Sequence, residues 1–216
     1  DTGGTFTDFV LYDGHELRIH KVLSTPAAPE QAILQGIREL GFDSQAELAT
    51  LNVVHGSTVA TNAVLEGKGV LTVYIGNRGL GDLLTIGRQA RRELYALQPP
   101  AESPPVPPEL CLETGGRLDA QGRTLEALSP ADRAKLRRDL ERLQPRAVAI
   151  NLLFSYLDDR HERAIEALVP AGVFVSRSSR VLPEIREYER GMATWLNAWI
   201  GPLVGGYLKR LREGLA

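Results

Sequence analysis

Alternating apolar and polar positions dominate the start of the chain, between residues 6 and 23, with Asp13-Gly14 at their midpoint. This alternation is typical of a β-hairpin, and Asp-Gly readily supplies the positive φ angles of a type I′ turn. The pattern then changes to helical spacing between Pro29 and Gly41. Proline suits the first turn of a helix and glycine its end, so the sequence predicts a hairpin followed by a helix.

Short apolar runs and helical patterns alternate along the rest of the chain. The predicted elements are a buried strand at 51–54, a helix around 60–65, a strand at 70–75, hairpin strands within 110–128, a helix at 130–143, a strand at 147–154, a helix at 158–168 and a strand at 173–175. Repeated strand–helix–strand units favour right-handed crossovers and parallel strand pairs. The sequence therefore predicts an α/β fold, a mixed sheet with flanking helices.

A proline-rich segment interrupts this alternation, with six prolines among residues 99–108. Such a composition favours an extended, non-helical connection. We therefore expect a first α/β subdomain at 1–98, a connection at 99–108 and a second α/β subdomain at 109–216.

The final stretch carries a wide apolar stripe at helical spacing between Met192 and Leu211. The stripe predicts a long amphipathic helix, which Pro202 should kink or split. It packs on the chain's own core, or against further sequence or another subunit.

Composition narrows the class of protein. Apolar residues make up 43% and charged residues 24% of the chain, and the formal net charge is −2. This balance gives no electrostatic reason to expect nucleic acid or an anionic membrane as a partner. The single cysteine, Cys111, cannot form an internal disulfide, and no apolar run approaches the ~20 residues that span a bilayer. We expect a cytoplasmic protein.

The opening segment, DTGGTFTD at residues 1–8, carries the sharpest chemical signal. Adjacent glycines let the backbone approach a phosphate, and successive N–H groups can form an anion-binding concavity. A carboxylate at Asp1 suits Mg²⁺ held through water. An ordinary glycine turn is the alternative. The candidate phosphate-binding residues are Asp1, Thr2, Gly3, Gly4, Thr5 and Thr7.

The opening segment and several later blocks resemble the hydantoinase A/5-oxoprolinase family of the actin-like ATPase superfamily. The blocks, in the family's order, are DTGGTFTD at 1–8, HGSTVATNA at 55–63, GRQ at 87–89 with RELY at 92–95, PEIREYER at 183–190, and NAW at 197–199 with Pro202. The resemblance implies an actin-like, ribonuclease H-like fold, ATP and Mg²⁺ as cofactors, and a first loop that holds the ATP phosphates.

The same resemblance implies ATP-driven opening of a cyclic amide, either hydantoin or 5-oxoproline, through phosphorylation of its carbonyl oxygen and attack by water. The expected partners are this small molecule, downstream domains of the same chain and a companion hydantoinase B-type subunit. The chain opens inside its most distinctive motif and holds one such loop. We therefore expect an N-terminal lobe fragment with little turnover alone, whose second phosphate loop, adenine pocket and catalytic base lie downstream.

Further candidate residues follow the predicted strand at 51–54, where ligands gather in open α/β sheets. His55 is a proton carrier or a structural histidine with its hydrogen bonds satisfied, since its ordinary pKa lies near neutrality. The candidates for contact with a phosphate or a substrate carbonyl are Gly56, Ser57, Thr58 and Asn62.

Cationic residues supply the last candidates. Arg88 lies near Arg91 and Arg92, where a guanidinium can clamp a carboxylate or phosphoryl oxygen, and a solvated helix face is the alternative. The charges between Arg186 and Arg190 predict an exposed ion-pair face, or a domain interface.

Three alternative functions stay open at this point. One is an acetone-carboxylase-type subunit, in which the same ATP chemistry activates a ketone. Another is a different actin-like phosphotransferase that releases a stable phosphorylated product. The third is a nucleotide-sensing module without turnover.

Overall fold

The computed structural model describes residues 1–90, 95, 97 and 103–216 of the 216-residue chain. Three predicted features lie at least partly outside the described residues: Arg91 and Arg92, most of the RELY block, and the first part of the proline-rich segment. The described residues form two compact units, residues 1–69 with 202–216 and residues 70–201.

The first unit begins with the predicted hairpin, in which β1 (Phe6–Tyr12) pairs antiparallel with β2 (Leu17–Leu23). The predicted type I′ turn is wrong. The connection is a longer loop in which Asp13 Oδ1 accepts hydrogen bonds from the N–H groups of His15 and Glu16, and only Gly14 has a positive φ, of 97°. An aspartate in a turn can either adopt a positive φ or accept backbone hydrogen bonds through its carboxylate, and Asp13 does the second.

Three helices complete the part of the first unit that lies early in the chain. They are α1 (Pro29–Glu39), α2 (Gln45–Leu48) and α3 (Val59–Leu65). Proline begins α1 as predicted, and Gly41 follows it with a φ of 98°. The core of the unit joins α1 to the end of the C-terminal helix through Ile33, Ile37, Tyr207 and Leu211.

The buried strand predicted at 51–54 is wrong. Val54 is 92% exposed, and the only β-pairing found here among the described residues is one isolated parallel bridge between Ser57 and Thr2. An apolar run forms a strand only where the backbone of a neighbouring segment pairs with it. The run itself does not show whether such a neighbour exists.

The second unit is built on a parallel sheet with the strand order β4-β3-β7-β8. Its strands are β3 (Thr72–Asn77), β4 (Cys111–Thr114), β7 (Ala147–Asn151) and β8 (Phe174–Arg177). Every residue of β3 and β7 is buried, as expected for central strands covered on both faces. A separate short hairpin pairs β5 (Arg117–Leu118) with β6 (Thr124–Glu126). The hairpin predicted within 110–128 is therefore confirmed only for its second half.

The second unit contains the three predicted helices and two short helices that the sequence does not predict. In chain order they are α4 (Leu83–Ile86), α5 (Pro130–Leu143), α6 (Arg160–Glu166), α7 (Ser178–Val181) and the start of α8 (Glu187–Leu215). The two short helices that are not predicted are α4 and α7. Ser129 and Asp132 form a capping box at the start of α5, in which each side chain accepts from the other residue's backbone N–H.

The chain on either side of the proline-rich segment enters one sheet, since β3 and β4 pair directly. The boundary between compact units lies elsewhere, after residue 69 and again after residue 201. The sequence prediction of subdomains at 1–98 and 109–216 differs from this division. Proline content indicates an extended connection but not which strands the connection joins.

The long C-terminal helix is present, and it continues through Pro202, where the sequence predicts a kink or a split. Proline removes one backbone hydrogen bond, but its φ suits a helix. Residues up to 201 belong to the second unit and those from Pro202 onwards to the first. The predicted α/β class, with parallel and antiparallel strands, is confirmed. Among the described residues, no helix combines the length and apolarity that crossing a membrane requires.

Candidate functional site

The glycine-rich loop is a closed turn in the first unit. Thr2 and Thr7 form an antiparallel bridge, and the N–H of Gly3 donates to the carbonyl of Phe6 at 3.0 Å. At the tip, Gly4 and Thr5 are exposed, and their N–H groups donate to no acceptor within the described part of the chain. Exposed, unpaired N–H groups in a tight turn are what an anion-binding concavity requires. The turn therefore fits a phosphate group.

The three threonines of this loop differ in their surroundings. Thr5 is exposed at the tip, whereas Thr2 and Thr7 are buried. The hydroxyl of Thr7 is hydrogen-bonded to that of Ser24 at 3.0 Å, and Ser24 also donates to the carbonyl of Gly3 at 2.8 Å. Thr5 is thus the threonine whose side chain is exposed at the tip, and Ser24 ties Gly3 to Thr7 within the turn.

The His-Gly-Ser-Thr block lies directly beside this loop. The N–H of Thr2 donates to the carbonyl of Gly56 at 3.0 Å, and the N–H of Thr58 donates to the carbonyl of Thr2 at 3.1 Å. A Cβ atom added at Gly56 would lie 3.4 Å from the carboxylate of Asp1, so the two segments are neighbours at this point. The fold brings together two motifs whose bonded residues lie more than 50 positions apart in sequence.

Asn62 lies at the edge of the same cluster. Its Nδ2 atom is 3.5 Å from the hydroxyl of Thr58, and a Cβ atom added at Gly4 would approach it to 3.8 Å. This amide is therefore within reach of a group bound at the tip of the loop.

His55 occupies a half-buried position at the start of the block. Its Nε2 atom is hydrogen-bonded to the hydroxyl of Tyr207, and the ring centroids lie 5.8 Å apart. Burial lowers the pKa of His55. The imidazole is accordingly held neutral more readily than a histidine in water.

Asp1 is exposed beside the loop. Within the described ranges, no group of three or more His, Cys, Asp or Glu residues could hold a metal ion. Mg²⁺ often binds phosphates with only one or two carboxylates and keeps its water ligands, so the exposed carboxylate of Asp1 fits that arrangement. A magnesium site at Asp1 stays a prediction.

Arg88 lies in the second unit, in the loop after α4. It forms an ion pair with Glu189 of α8, with 2.7 Å between Nε and Oε1. Beside it, Gly87 adopts a φ of 55° and approaches the ring of Tyr188. The GRQ and PEIREYER blocks therefore contact each other, although about 100 residues separate them.

The charged block on α8 departs from the exposed ion-pair face that the sequence predicts. Arg190 is fully buried, and its guanidinium donates to the side chains of Asn151 and Ser178 and to the carbonyls of Leu152 and Glu184. Burial lowers the pKa of Arg190. The prediction of an exposed face is wrong at this residue, because the end of β7 and the start of α7 supply acceptors inside the unit.

Comparison with known proteins places these blocks in a family. The family described as the hydantoinase/oxoprolinase N-terminal region matches residues 1–171. The chain belongs to this family. Caprolactamase subunit alpha of Pseudomonas jessenii is 34% identical over 98% of this chain and 32% of its own length. The 5-oxoprolinase 1 of Arabidopsis thaliana is 29% identical over 96% of this chain and 19% of its own length.

Two solved structures have the same fold as this chain. The ATP-dependent caprolactamase from Pseudomonas jessenii superposes with a TM-score of 0.82 at 31% identity, over 100% of this chain and 33% of that one. The nucleotide-free acetone carboxylase superposes with a TM-score of 0.83 at 23% identity, over 100% of this chain and 34% of that one. This chain therefore spans about a third or less of the length of its relatives.

Sequence reasoning about this family member missed two residues of the site. Tyr207 belongs to an apolar helical stripe and gives no chemical signal of its own in the sequence. Ser24 ends the hairpin as an ordinary polar residue. Ser24 is recognised only by its contacts with the loop, and Tyr207 only by its contact with His55.

Proposed function

We propose that this chain is the N-terminal part of an ATP-dependent hydrolase of cyclic amides, and that the loop of residues 1–8 binds the phosphates of ATP. The observation that carries the proposal is the pairing of Thr2 with both Gly56 and Thr58, which joins the loop to the His-Gly-Ser-Thr block. The likeness to an ATP-dependent caprolactamase supports the reaction class.

The chemistry gives a reason for coupling to ATP. An unstrained lactam is a poor electrophile, and the phosphoryl group that ATP supplies to its carbonyl oxygen creates a much better leaving group for attack by water. For such a transfer a protein contributes chiefly positioning and charge stabilisation. Backbone N–H groups and hydroxyls suit that role.

Each residue of the site then has a defined part. The N–H groups of Gly4 and Thr5 bind phosphate oxygens, and Asp1 holds Mg²⁺ through water. Ser57, Thr58 and Asn62 donate hydrogen bonds to the transferred phosphoryl group or to the substrate carbonyl. His55 moves a proton as a neutral imidazole.

Other parts of the protein complete the enzyme. Relatives about three times as long as this chain, one of them named as a subunit, support downstream domains and a companion subunit as partners. Arg88 binds a carboxylate or phosphoryl group in this assembly by exchanging its contact with Glu189.

The decisive measurement is ADP release by the full-length protein with its companion subunit. Caprolactam, hydantoin and 5-oxoproline are tested in separate reactions, and each is compared with nucleotide alone. Stimulation by a cyclic amide supports the proposal and identifies the substrate. Intact nucleotide binding without stimulation by any of them contradicts it and favours a phosphotransferase or a nucleotide sensor.

Two variants connect this activity to the loop. Gly4→Ala adds a methyl group that meets only Asn62, at 3.8 Å, so the fold accommodates it while the phosphate site narrows. Thr5→Val removes the exposed hydroxyl and keeps the size of the side chain nearly unchanged. Both should weaken ATP binding by about tenfold or more, the equivalent of one or two hydrogen bonds to a charged group. Unchanged affinity in both would place the nucleotide elsewhere.

A second candidate function is ATP-dependent carboxylation of a ketone, which the fold likeness to acetone carboxylase supports. Acetone with bicarbonate, added to the same assay, distinguishes the two. Stimulation that needs both compounds would assign the carboxylase reaction.

A further inference from the structure

Tyr207 lies in the last turns of α8, 152 residues from His55, and only 3% of it is exposed. Its hydroxyl is hydrogen-bonded to His55 Nε2. The two rings are tilted by 59° and their centroids lie 5.8 Å apart, so the rings also pack against each other. This residue lies outside the motifs that define the site.

The surrounding core fixes the position of Tyr207. Its ring packs in the cluster of Ile33, Ile37 and Leu211. One turn further along, Arg210 donates to the carboxylate of Glu30 at 2.6 Å, and Glu30 is 6% exposed. The end of α8 is therefore held firmly against α1, and the hydroxyl of Tyr207 is presented at a defined point.

The direction of the hydrogen bond between Tyr207 and His55 follows from the chemistry of the two groups. The hydroxyls of Ser57 and Thr2 lie beside the phenol and oppose the rise of its pKa, which burial causes. Thr2 Oγ1 is buried and makes no hydrogen bond of normal geometry to any described residue. A phenol O–H is a stronger donor than the N–H of a neutral imidazole, and an imidazole nitrogen is a stronger acceptor than a phenol oxygen, so the phenol donates to Nε2.

We propose that Tyr207 is a positioning residue of the phosphate site, and that its hydroxyl donates to Nε2 and holds His55 as the neutral tautomer protonated at Nδ1. This inference rests on the function proposed above. An Nε2 atom that accepts from Tyr207 leaves Nδ1–H as the group that donates to a ligand. Tyr207 thereby determines which face of the imidazole acts.

The first test measures the tautomer directly in this chain. Nitrogen-15 NMR of the histidine rings at neutral pH distinguishes a protonated Nδ1 from a protonated Nε2, and the His55→Gln variant assigns the signals. We expect a protonated Nδ1 in the unsubstituted chain and a shift towards protonated Nε2 in Tyr207→Phe. Protonated Nε2 in the unsubstituted chain would overturn the proposal without any need for the variant.

The second test measures turnover in the full-length protein. Tyr207→Phe keeps the ring and removes the hydroxyl, and we expect kcat for ADP release to fall about tenfold with little change in KM for ATP. Tyr12→Phe is the matched control, since Tyr12 is 65% exposed in the same unit and its hydroxyl donates only to the nearby Gly14 carbonyl. Equal kcat values for the two variants would contradict the positioning role.

The two tests separate the inference from the proposed function. If the tautomer is as expected but no cyclic amide stimulates ADP release, the function is wrong and the role of Tyr207 towards His55 stands. If turnover occurs and the tautomer is the opposite one, the function stands and the inference is wrong.

Discussion

Arg88 and Glu189 form an ion pair within the second unit, with 2.7 Å between the guanidinium Nε and the carboxylate Oε1. The contact lowers the pKa of Glu189. Both side chains remain partly exposed, at 57% for Arg88 and 37% for Glu189. The pair therefore joins two family blocks at the surface of the unit, where a ligand can still compete for the guanidinium.

Replacement of Arg88 tests whether this pair stabilises the fold or serves a ligand. We expect Arg88→Ala to change the urea midpoint very little, because exposed ion pairs contribute little to stability. In the full-length protein, the same variant should lower the rate of ADP release. Arg78→Ala, which removes two ion pairs of the same unit, with Glu126 and Asp132, is the control and should leave that rate unchanged. Loss of stability without a specific loss of rate would assign Arg88 a structural role.

Arg190 should behave in the opposite way. Arg190→Ala removes a fully buried guanidinium and leaves its acceptors, including Asn151 and the carbonyl of Leu152, without donors. Unpaired buried polar groups and the cavity should lower the free energy of unfolding by about 3 kcal/mol. Urea denaturation followed by circular dichroism measures this change. Arg186→Ala, an exposed position in the same block, should stay within about 0.5 kcal/mol. Similar values for the two variants would contradict the buried network.

Two glycines of α8 form a matched pair for a second stability test. A Cβ atom at Gly191 would lie 2.6 Å from the amide of Asn151, which its hydrogen bonds hold in place, whereas a Cβ atom at Gly205 meets nothing within 4 Å. Gly191→Ala should therefore destabilise the protein by about 1–3 kcal/mol through overpacking. Gly205→Ala should stabilise it by about 0.5–1 kcal/mol, since alanine favours the helix. The difference in melting temperature between the two variants gives the result, and equal shifts would refute the packing around Gly191.

Cys111 should be an unreactive thiol. Burial raises the pKa of Cys111 to about 11, with the charges of Glu109 and Asp82 adding to the effect. Because the thiolate forms only as pH rises towards that value, its fraction at pH 8 should be about 100-fold below that of a free cysteine. A thiolate of higher pKa is also more nucleophilic, which offsets part of the loss in thiolate fraction. We therefore expect Cys111 to react with iodoacetamide roughly tenfold more slowly than a free cysteine.

Because the chain has one cysteine, the pH profile of this reaction reports on Cys111 alone. The rate should continue to rise above pH 9, whereas a free thiol levels off near that pH. The urea-unfolded chain is the control and should react like a free cysteine. A folded-state profile that levels off near pH 9 would contradict the burial of this thiol.

Local physical chemistry made much of the fold predictable from the sequence. Ser129 with Asp132 begins α5, and Pro29 begins α1, because helix caps and proline geometry depend only on neighbouring residues. The glycine-rich loop and the HGST block can be recognised in the sequence for the same reason, because each motif consists of a few consecutive residues. What the loop binds is a separate question that nucleotide binding must answer.

Contacts between distant segments could not be read in this way. Arg190 belongs to a charged helical pattern that is typical of a solvated face, yet it donates to acceptors at the end of β7 and the start of α7. Val54 follows an apolar run that is typical of a buried strand, yet it is 92% exposed. In both cases burial depends on which segment lies opposite, and periodicity along one segment carries no record of its partner.

The sequence by itself determined the α/β class, the order of most elements, and the segments that carry the candidate chemistry. Only the tertiary structure decided that β3 and β4 share a sheet across the proline-rich segment and that Tyr207 contacts His55. The physical reason is the same for both. Elements form from short-range propensities, whereas their pairing depends on the packing of surfaces that are far apart in the chain.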